Sequence, residues 1–98
     1  MITFDAFLSS TTVGATMPAD LSPELQALWL CKRERWEDSH IIAQDIHTPT
    51  GSWIHALLHL IEGDLGNAAY WFHKAGKPVR NPAEINSEWE TIARSLTH

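Results

Sequence analysis

Three residues in one segment of the chain have the types and the spacing of a metal site: His55, His59 and Glu62. Steps of four and then three positions place them on one stripe of a helix, beside its apolar face. Imidazoles at positions i and i+4 can bind one divalent ion, and a carboxylate can complete such a set. The segment is not the His-Glu-x-x-His pattern of metalloproteases, because Ala56 stands where the catalytic glutamate belongs. We therefore do not expect a hydrolase of that type.

A further histidine, His40, is predicted to face this stripe. An internal repeat with an offset of about 29 residues aligns it with an alanine on the packing face of a later helix. In stacked hairpins the second helix of one hairpin packs on the first helix of the next, so His40 should approach His55 and His59. We call these three residues the histidine cluster. Asp45, on the same predicted helix as His40, is a candidate partner for it.

Three uses of the histidine cluster stay open. The first is a structural network in which the imidazoles and Asp45 satisfy one another by hydrogen bonds, since buried polar groups are usually paired. The second is a divalent metal site or an acid/base enzyme, in which Glu62 or Asp45 completes the set or orients an imidazole. The third is a pocket for a small polar ligand. The sequence carries no nucleophile elbow, phosphate loop or dinucleotide fingerprint, so no cofactor other than such an ion is expected.

Five tryptophans are many for so short a chain. The consecutive aromatic residues Tyr70, Trp71 and Phe72 point around a helix, so they cannot all be buried in one small domain. We expect Tyr70 and Trp71 to form an aromatic surface that faces a groove or a partner. The first functional hypothesis is therefore an interaction or ligand-binding module for a protein, a peptide or a second copy of the chain. The alternative is a metal-binding protein or enzyme built on the histidine cluster.

The elements that position these residues are all predicted to be helices, so the predicted fold class is all-α. Apolar spacing, capping residues and prolines predict helices at 22–32, 37–46, 52–62, 65–75 and 82–96. Residues 48–51 are predicted to be a connection, and residues 1–20 a loosely held peripheral arm. We expect two stacked antiparallel hairpins, 22–47 and 52–76, with the last helix as a cap. The whole chain is then one helical domain.

The second hairpin is similar to a tetratricopeptide repeat, in which small residues let two helices approach closely. The residues that carry this resemblance are Gly63-Asp64 at the turn, then Ala68, Phe72 and Ala75. In the first hairpin Glu34-Arg35 replace the Gly-Asp turn, and the repeat is shorter than the roughly 34 residues of that family. The resemblance implies a helical geometry and carries over no peptide-binding residues.

A second resemblance covers residues 21–78. A family of short, mostly bacterial helical proteins of unknown role has a motif similar to Trp53-Ile-His-Ala-Leu-Leu-His59, Glu62-Gly-Asp-Leu-Gly-Asn67, Tyr70-Trp71 and Ala75-Gly76. An earlier segment of that family pairs a tryptophan with alanine-histidine, as Trp36 and Ser39-His40 do here. This resemblance implies a compact helical protein and supplies no activity.

Composition excludes several classes of function. The chain of 98 residues is long enough for one hydrophobic core, and its formal charge of -5 is too acidic for a protein that binds nucleic acid. The single cysteine, Cys31, allows no internal disulfide, which fits a cytoplasmic protein. The first residues lack a basic leader and the longest apolar run, 54–61, contains two histidines. We therefore expect neither export nor a membrane partner.

Overall fold

The protein is all-helical over residues 2–12 and 16–98, the parts of the chain that the structure, a computed structural model, describes. These residues form six α-helices and no β-strand. The helices are α1 (Phe4–Ser10), α2 (Pro23–Lys32), α3 (Trp36–Gln44), α4 (Pro49–Glu62), α5 (Leu65–Ala75) and α6 (Ile85–Leu96), with one 3-10 turn at Pro82–Glu84 before α6. The predicted fold class is confirmed.

The helices pair as a hairpin array. Helix α2 packs on α3 and α4 packs on α5, while α3 and α4 join the two pairs. The Ser39 hydroxyl of α3 donates a 2.6 Å hydrogen bond to the carbonyl oxygen of Ala27 in α2, so the first pair is in close contact. Ala68, 1% exposed, gives the second pair a similarly close approach. Among the described residues, no helix is long and apolar enough to cross a membrane.

Helix α4 begins earlier than the sequence patterns predict. The expected connection at residues 48–51 is wrong, because Thr48 caps α4 and Pro49 is its first residue. The Thr48 hydroxyl accepts a hydrogen bond from the amide of Gly51 at 3.1 Å. Proline suits a first helical position, since its missing N–H would have no intrahelical partner there. A Cβ at Gly51 would clash with the carbonyl oxygen of Ile46, so glycine lets the chain leaving α3 lie directly against α4.

Helix α4 forms the centre of the core, since it packs against α2, α3, α5 and α6. Ile54, Leu57 and Leu58 of the predicted apolar face are fully buried, whereas Ile61 is 40% exposed. Burial also extends to other sides of the helix, where Ser52, Trp53, His55, Ala56 and Leu60 lie below 9% exposure. Two polar residues of α4, Ser52 and His55, therefore lie within the protein, whereas Glu62 at the end of the helix is exposed.

The expectation of a loosely held arm is wrong where the structure describes residues 1–20; Met1 and residues 13–15 lie outside the described part. Helix α1 buries Phe4 and Phe7, and the Phe7 ring stacks on Trp89 of α6 with centroids 5.9 Å apart. These phenylalanines are three positions apart and so form one apolar face. The amide of Phe4 also donates to the carbonyl oxygen of His98 at 2.9 Å. Helix α1 is part of the core.

Each of the two hairpins has, at its turn, one residue with a left-handed backbone conformation. Glu34 has φ 60° and Gly63 has φ 85°, and the two positions are 29 residues apart, which is the offset of the internal repeat. Glycine adopts this conformation without steric cost, whereas a residue with a Cβ is strained there. The first turn therefore has the same backbone as the second despite the different sequence.

We predict that Glu34→Gly stabilises the protein by about 1 kcal/mol, because it relieves this strain. The matched control is Glu37→Gly, which removes the same charge from the first turn of α3 and should destabilise by up to about 1 kcal/mol. Urea unfolding of both variants and of the wild type measures the difference. A Glu34→Gly variant less stable than the wild type would contradict a left-handed turn at this position.

Candidate functional site

The structure brings the three residues of the histidine cluster together. His40 of α3 and His55 of α4 place their Nε2 atoms 3.0 Å apart. The His59 ring lies one turn further along α4, stacked on His55 with centroids 4.8 Å apart and 5.6 Å from the His40 centroid. Each histidine offers one ring nitrogen, and these nitrogens all lie within 4.8 Å of one another. Two helices thus direct three imidazoles at one small volume.

Two hydrogen bonds hold α3 against its two neighbouring helices. The indole N–H of Trp36 donates to the carbonyl oxygen of Leu58 in α4 at 2.7 Å. The Ser39 hydroxyl anchors α3 to α2. His40 therefore projects from a helix that is fixed to both α2 and α4.

His55 is the most buried of the three histidines, at 7% exposure. The pKa of His55 is lowered to about 4, mainly by burial and in addition by the charges of His40, His59 and Lys74. The imidazole of His55 is therefore neutral at pH 7. A neutral imidazole keeps one nitrogen lone pair, which it can direct at a hydrogen-bond donor or at a metal ion.

Glu62 orients His59, as the sequence spacing suggests. Nδ1 of His59 lies 2.7 Å from a carboxylate oxygen of Glu62, which acts as the acceptor. A proton on Nδ1 leaves the lone pair of the other ring nitrogen, Nε2, free for the cluster. Asp64 also lies near His59, but its carboxylate caps α5 and accepts hydrogen bonds from Asn67, which lower its pKa. Asp64 therefore has a structural role.

Asp45 is not part of the cluster, and its expected contact with the histidines is wrong. It lies exposed at the C-terminal end of α3, beside Pro23 and Ile41. A residue five positions after His40 projects about 140° away around the helix axis, given 3.6 residues per turn. The carboxylate therefore points away from the imidazoles.

Two indoles flank the cluster. Trp36 stacks on His40 with centroids 4.8 Å apart, and Trp71 of α5 stacks on His55 at 4.0 Å. The Nζ atom of Lys74 lies 4.9 Å from the Trp71 ring centroid. Sequence reasoning did not place Trp36 at the site, although its i, i+4 spacing to His40 was a usable signal. Trp71 reaches His55 from another helix, so no short spacing could reveal that contact.

The predicted aromatic surface divides into two environments. Tyr70 is 57% exposed, whereas Trp71 is half-buried against the cluster, and Phe72 is fully buried. The Tyr70 and Trp71 rings meet edge to face at 5.3 Å. Tyr70 is therefore the member of this trio that is available to a partner, and Trp71 belongs to the site.

The chain matches no family model, no curated protein and no solved structure. The resemblances to tetratricopeptide repeats and to the family of short bacterial proteins therefore stay predictions.

We predict that His55 makes the protein less stable in mild acid. Its folded-state pKa of about 4 lies below the ordinary value of 6.5, so the unfolded chain binds a proton that the native state excludes. The corresponding stability is complete above pH 6.5 and is lost as the pH falls towards 4. Between pH 7.5 and 5 the loss should reach about 2 kcal/mol.

Urea unfolding at the two pH values tests this prediction on the wild type, on His55→Asn and on the control His73→Asn, whose histidine is exposed. Asparagine does not titrate, so His55→Asn should lose less stability on acidification than the other two proteins. An equal loss in all three would contradict a depressed pKa at His55.

Proposed function

We propose that this protein binds a divalent transition metal ion, with Zn²⁺ as the reference ion, through His40, His55 and His59. The observation that carries the proposal is the convergence of three ring nitrogens from two helices within 4.8 Å. Zinc–nitrogen distances of about 2.0–2.1 Å in a tetrahedral site place ligand nitrogens about 3.3 Å apart. The 3.0 Å separation of the His40 and His55 Nε2 atoms is close to that value.

The surroundings of the cluster also support this proposal. Metal ligation requires neutral imidazoles, and the depressed pKa of His55 provides one at physiological pH. The carboxylate on Nδ1 of His59 is the arrangement that orients histidine ligands in metal sites. Because α3 is fixed to α4 by the Trp36 bond, the helices need not rearrange to bring the ligands together.

Three protein ligands leave one position of a tetrahedral ion for water or for an exogenous ligand, as in catalytic zinc sites rather than structural ones. The enzyme hypothesis follows from that open position and from the acid/base capacity of the imidazoles. We propose a cytoplasmic location as well, supported by the single cysteine of the chain.

The test uses protein purified without a histidine tag and then stripped of metal. We expect added Zn²⁺ to raise the thermal midpoint, by an amount equivalent to about 2.7 kcal/mol when free zinc is 100-fold above Kd. Glu62→Gln preserves the shape of a half-exposed side chain and should weaken zinc affinity at least about tenfold through His59. His59→Ala should abolish the zinc response, whereas the control His73→Ala should keep it.

A structural network gives a different result. In that case zinc leaves the midpoint of the wild type unchanged, and His59→Ala only lowers it. That outcome would contradict metal binding and favour the hydrogen-bonded alternative.

A second candidate function is self-association through α5, and an exposed aromatic side chain favours it. Tyr70 is 57% exposed on this helix, and its ring meets Trp71 edge to face. Exposed aromatic residues are enriched at protein interfaces. A second copy of the chain is the partner proposed for this surface, because self-association requires no other protein.

Light scattering over a range of concentrations tests self-association. We expect the wild type to dimerise as its concentration rises and Tyr70→Ser to stay monomeric. Val79→Ser, which replaces an exposed apolar residue outside α5, should behave like the wild type. A wild type that is monomeric at every concentration would contradict this candidate.

A further inference from the structure

A second site lies beside the histidine cluster, in a pocket of about 480 Å³ between the end of α3, the start of α4 and α5. His55 is the one residue of the cluster that lines it. The other lining residues used below are Ser52, Lys74, Ile46, Pro49 and Ala43. This pocket has a chemistry of its own and does not depend on a bound metal.

Ser52 carries an unused hydrogen-bonding group in this pocket. Its side chain is only 8% exposed, and its hydroxyl forms no hydrogen bond with any residue that the structure describes. The backbone amide of Ser52 is already used, since it donates to the carbonyl oxygen of Thr48 at 3.0 Å. Among the described residues, every fully enclosed side-chain nitrogen or oxygen has a partner, so the unpaired Ser52 hydroxyl is open to the pocket and available to a bound polar group.

The lining of the pocket carries a positive formal charge, although the chain is acidic. Lys74 is the one Lys or Arg side chain in the lining, which contains no Asp or Glu, whereas the chain carries a formal charge of -5. The first turn of α4 also lines the pocket through Thr48, Pro49 and Gly51, so the positive end of the helix dipole lies beside it. The remaining titratable residues of the lining are His47 and His55. An anion is therefore the favoured occupant.

The wall made by Ala43, Ile46 and Pro49 is apolar. A bare inorganic ion would leave that wall uncovered, whereas an organic anion would cover it. We infer that this pocket binds a small organic anion, whose carboxylate or phosphate oxygens contact the Ser52 hydroxyl and the Lys74 ammonium group. Its apolar part would pack on Ile46 and Pro49.

The experiment is an amide NMR titration of metal-free protein, so that it succeeds or fails independently of zinc binding. The probes are benzoate, phenyl phosphate and the neutral benzamide. We expect at least one of the anions to shift the amide resonances of Gly51 and Ser52 with saturation, and benzamide to leave them in place. The two anions distinguish a carboxylate ligand from a phosphate ligand.

Two variants test the named contacts. Lys74→Gln keeps an exposed side chain of similar length, and Ser52→Ala removes the hydroxyl alone. Each should weaken the anion about tenfold, the loss expected for one hydrogen bond to a charged group. Lys77→Gln is the matched control, because Lys77 lies over Trp53 outside the pocket, and it should bind like the wild type.

Three results would overturn the inference. They are no saturable shift with either anion, equal binding of benzamide, and wild-type affinity in both Lys74→Gln and Ser52→Ala. Because the protein in these titrations is metal-free, none of these results bears on the zinc proposal.

Discussion

The burial of α4 is the constraint on which the rest of the structure depends. Four helices pack around it, so a polar side chain on one of its buried faces must find its partner inside the protein or in a pocket. Trp53 does so through Glu88 of α6, whose carboxylate accepts from the indole N–H at 2.8 Å. His55 does so through His40 of α3. Ser52 has no protein partner, and it lies where the helix borders a pocket.

The Glu88 network shows how a structural polar group differs from the histidine cluster. Glu88 is 4% exposed, and its two carboxylate oxygens are used by Trp53 and by Arg80, the latter at 3.2 Å. Donors and acceptor are complementary there, so the network is complete within the chain. The cluster instead consists of three side chains of one chemical type, and only His59 has a carboxylate partner. A cation bound by all three imidazoles would give each of them a partner, which the single imidazole-to-imidazole hydrogen bond does not.

The apolar periodicity of the sequence and its internal repeat predicted most of this architecture. The i, i+4, i+7 spacing predicted that His55, His59 and Glu62 share one stripe, and the repeat predicted the approach of His40. The expectations that were wrong came from local residue patterns that occur in more than one kind of structure. The residues at 48–51 are typical of a connection, whereas Pro49 is here the first residue of α4. The Ser, Thr, Gly and Pro residues at 9–18 are typical of a loop and obscured the apolar pair of Phe4 and Phe7. The contact of Trp71 with His55 depends on tertiary packing between two helices, which no local spacing contains.

The indoles that flank the cluster give the site an optical signal of its own. Two of the five tryptophans, Trp36 and Trp71, are in face-to-face contact with imidazoles of the cluster. Trp53 and Trp89 interact with other residues, since they donate their indole N–H groups to Glu88 and to the carbonyl oxygen of Leu28. The emission of an indole responds to charge and to paramagnetic ions at contact distance. A change in the charge of these imidazoles, or a paramagnetic ion between them, would therefore alter the fluorescence of Trp36 and Trp71 without any label attached to the chain.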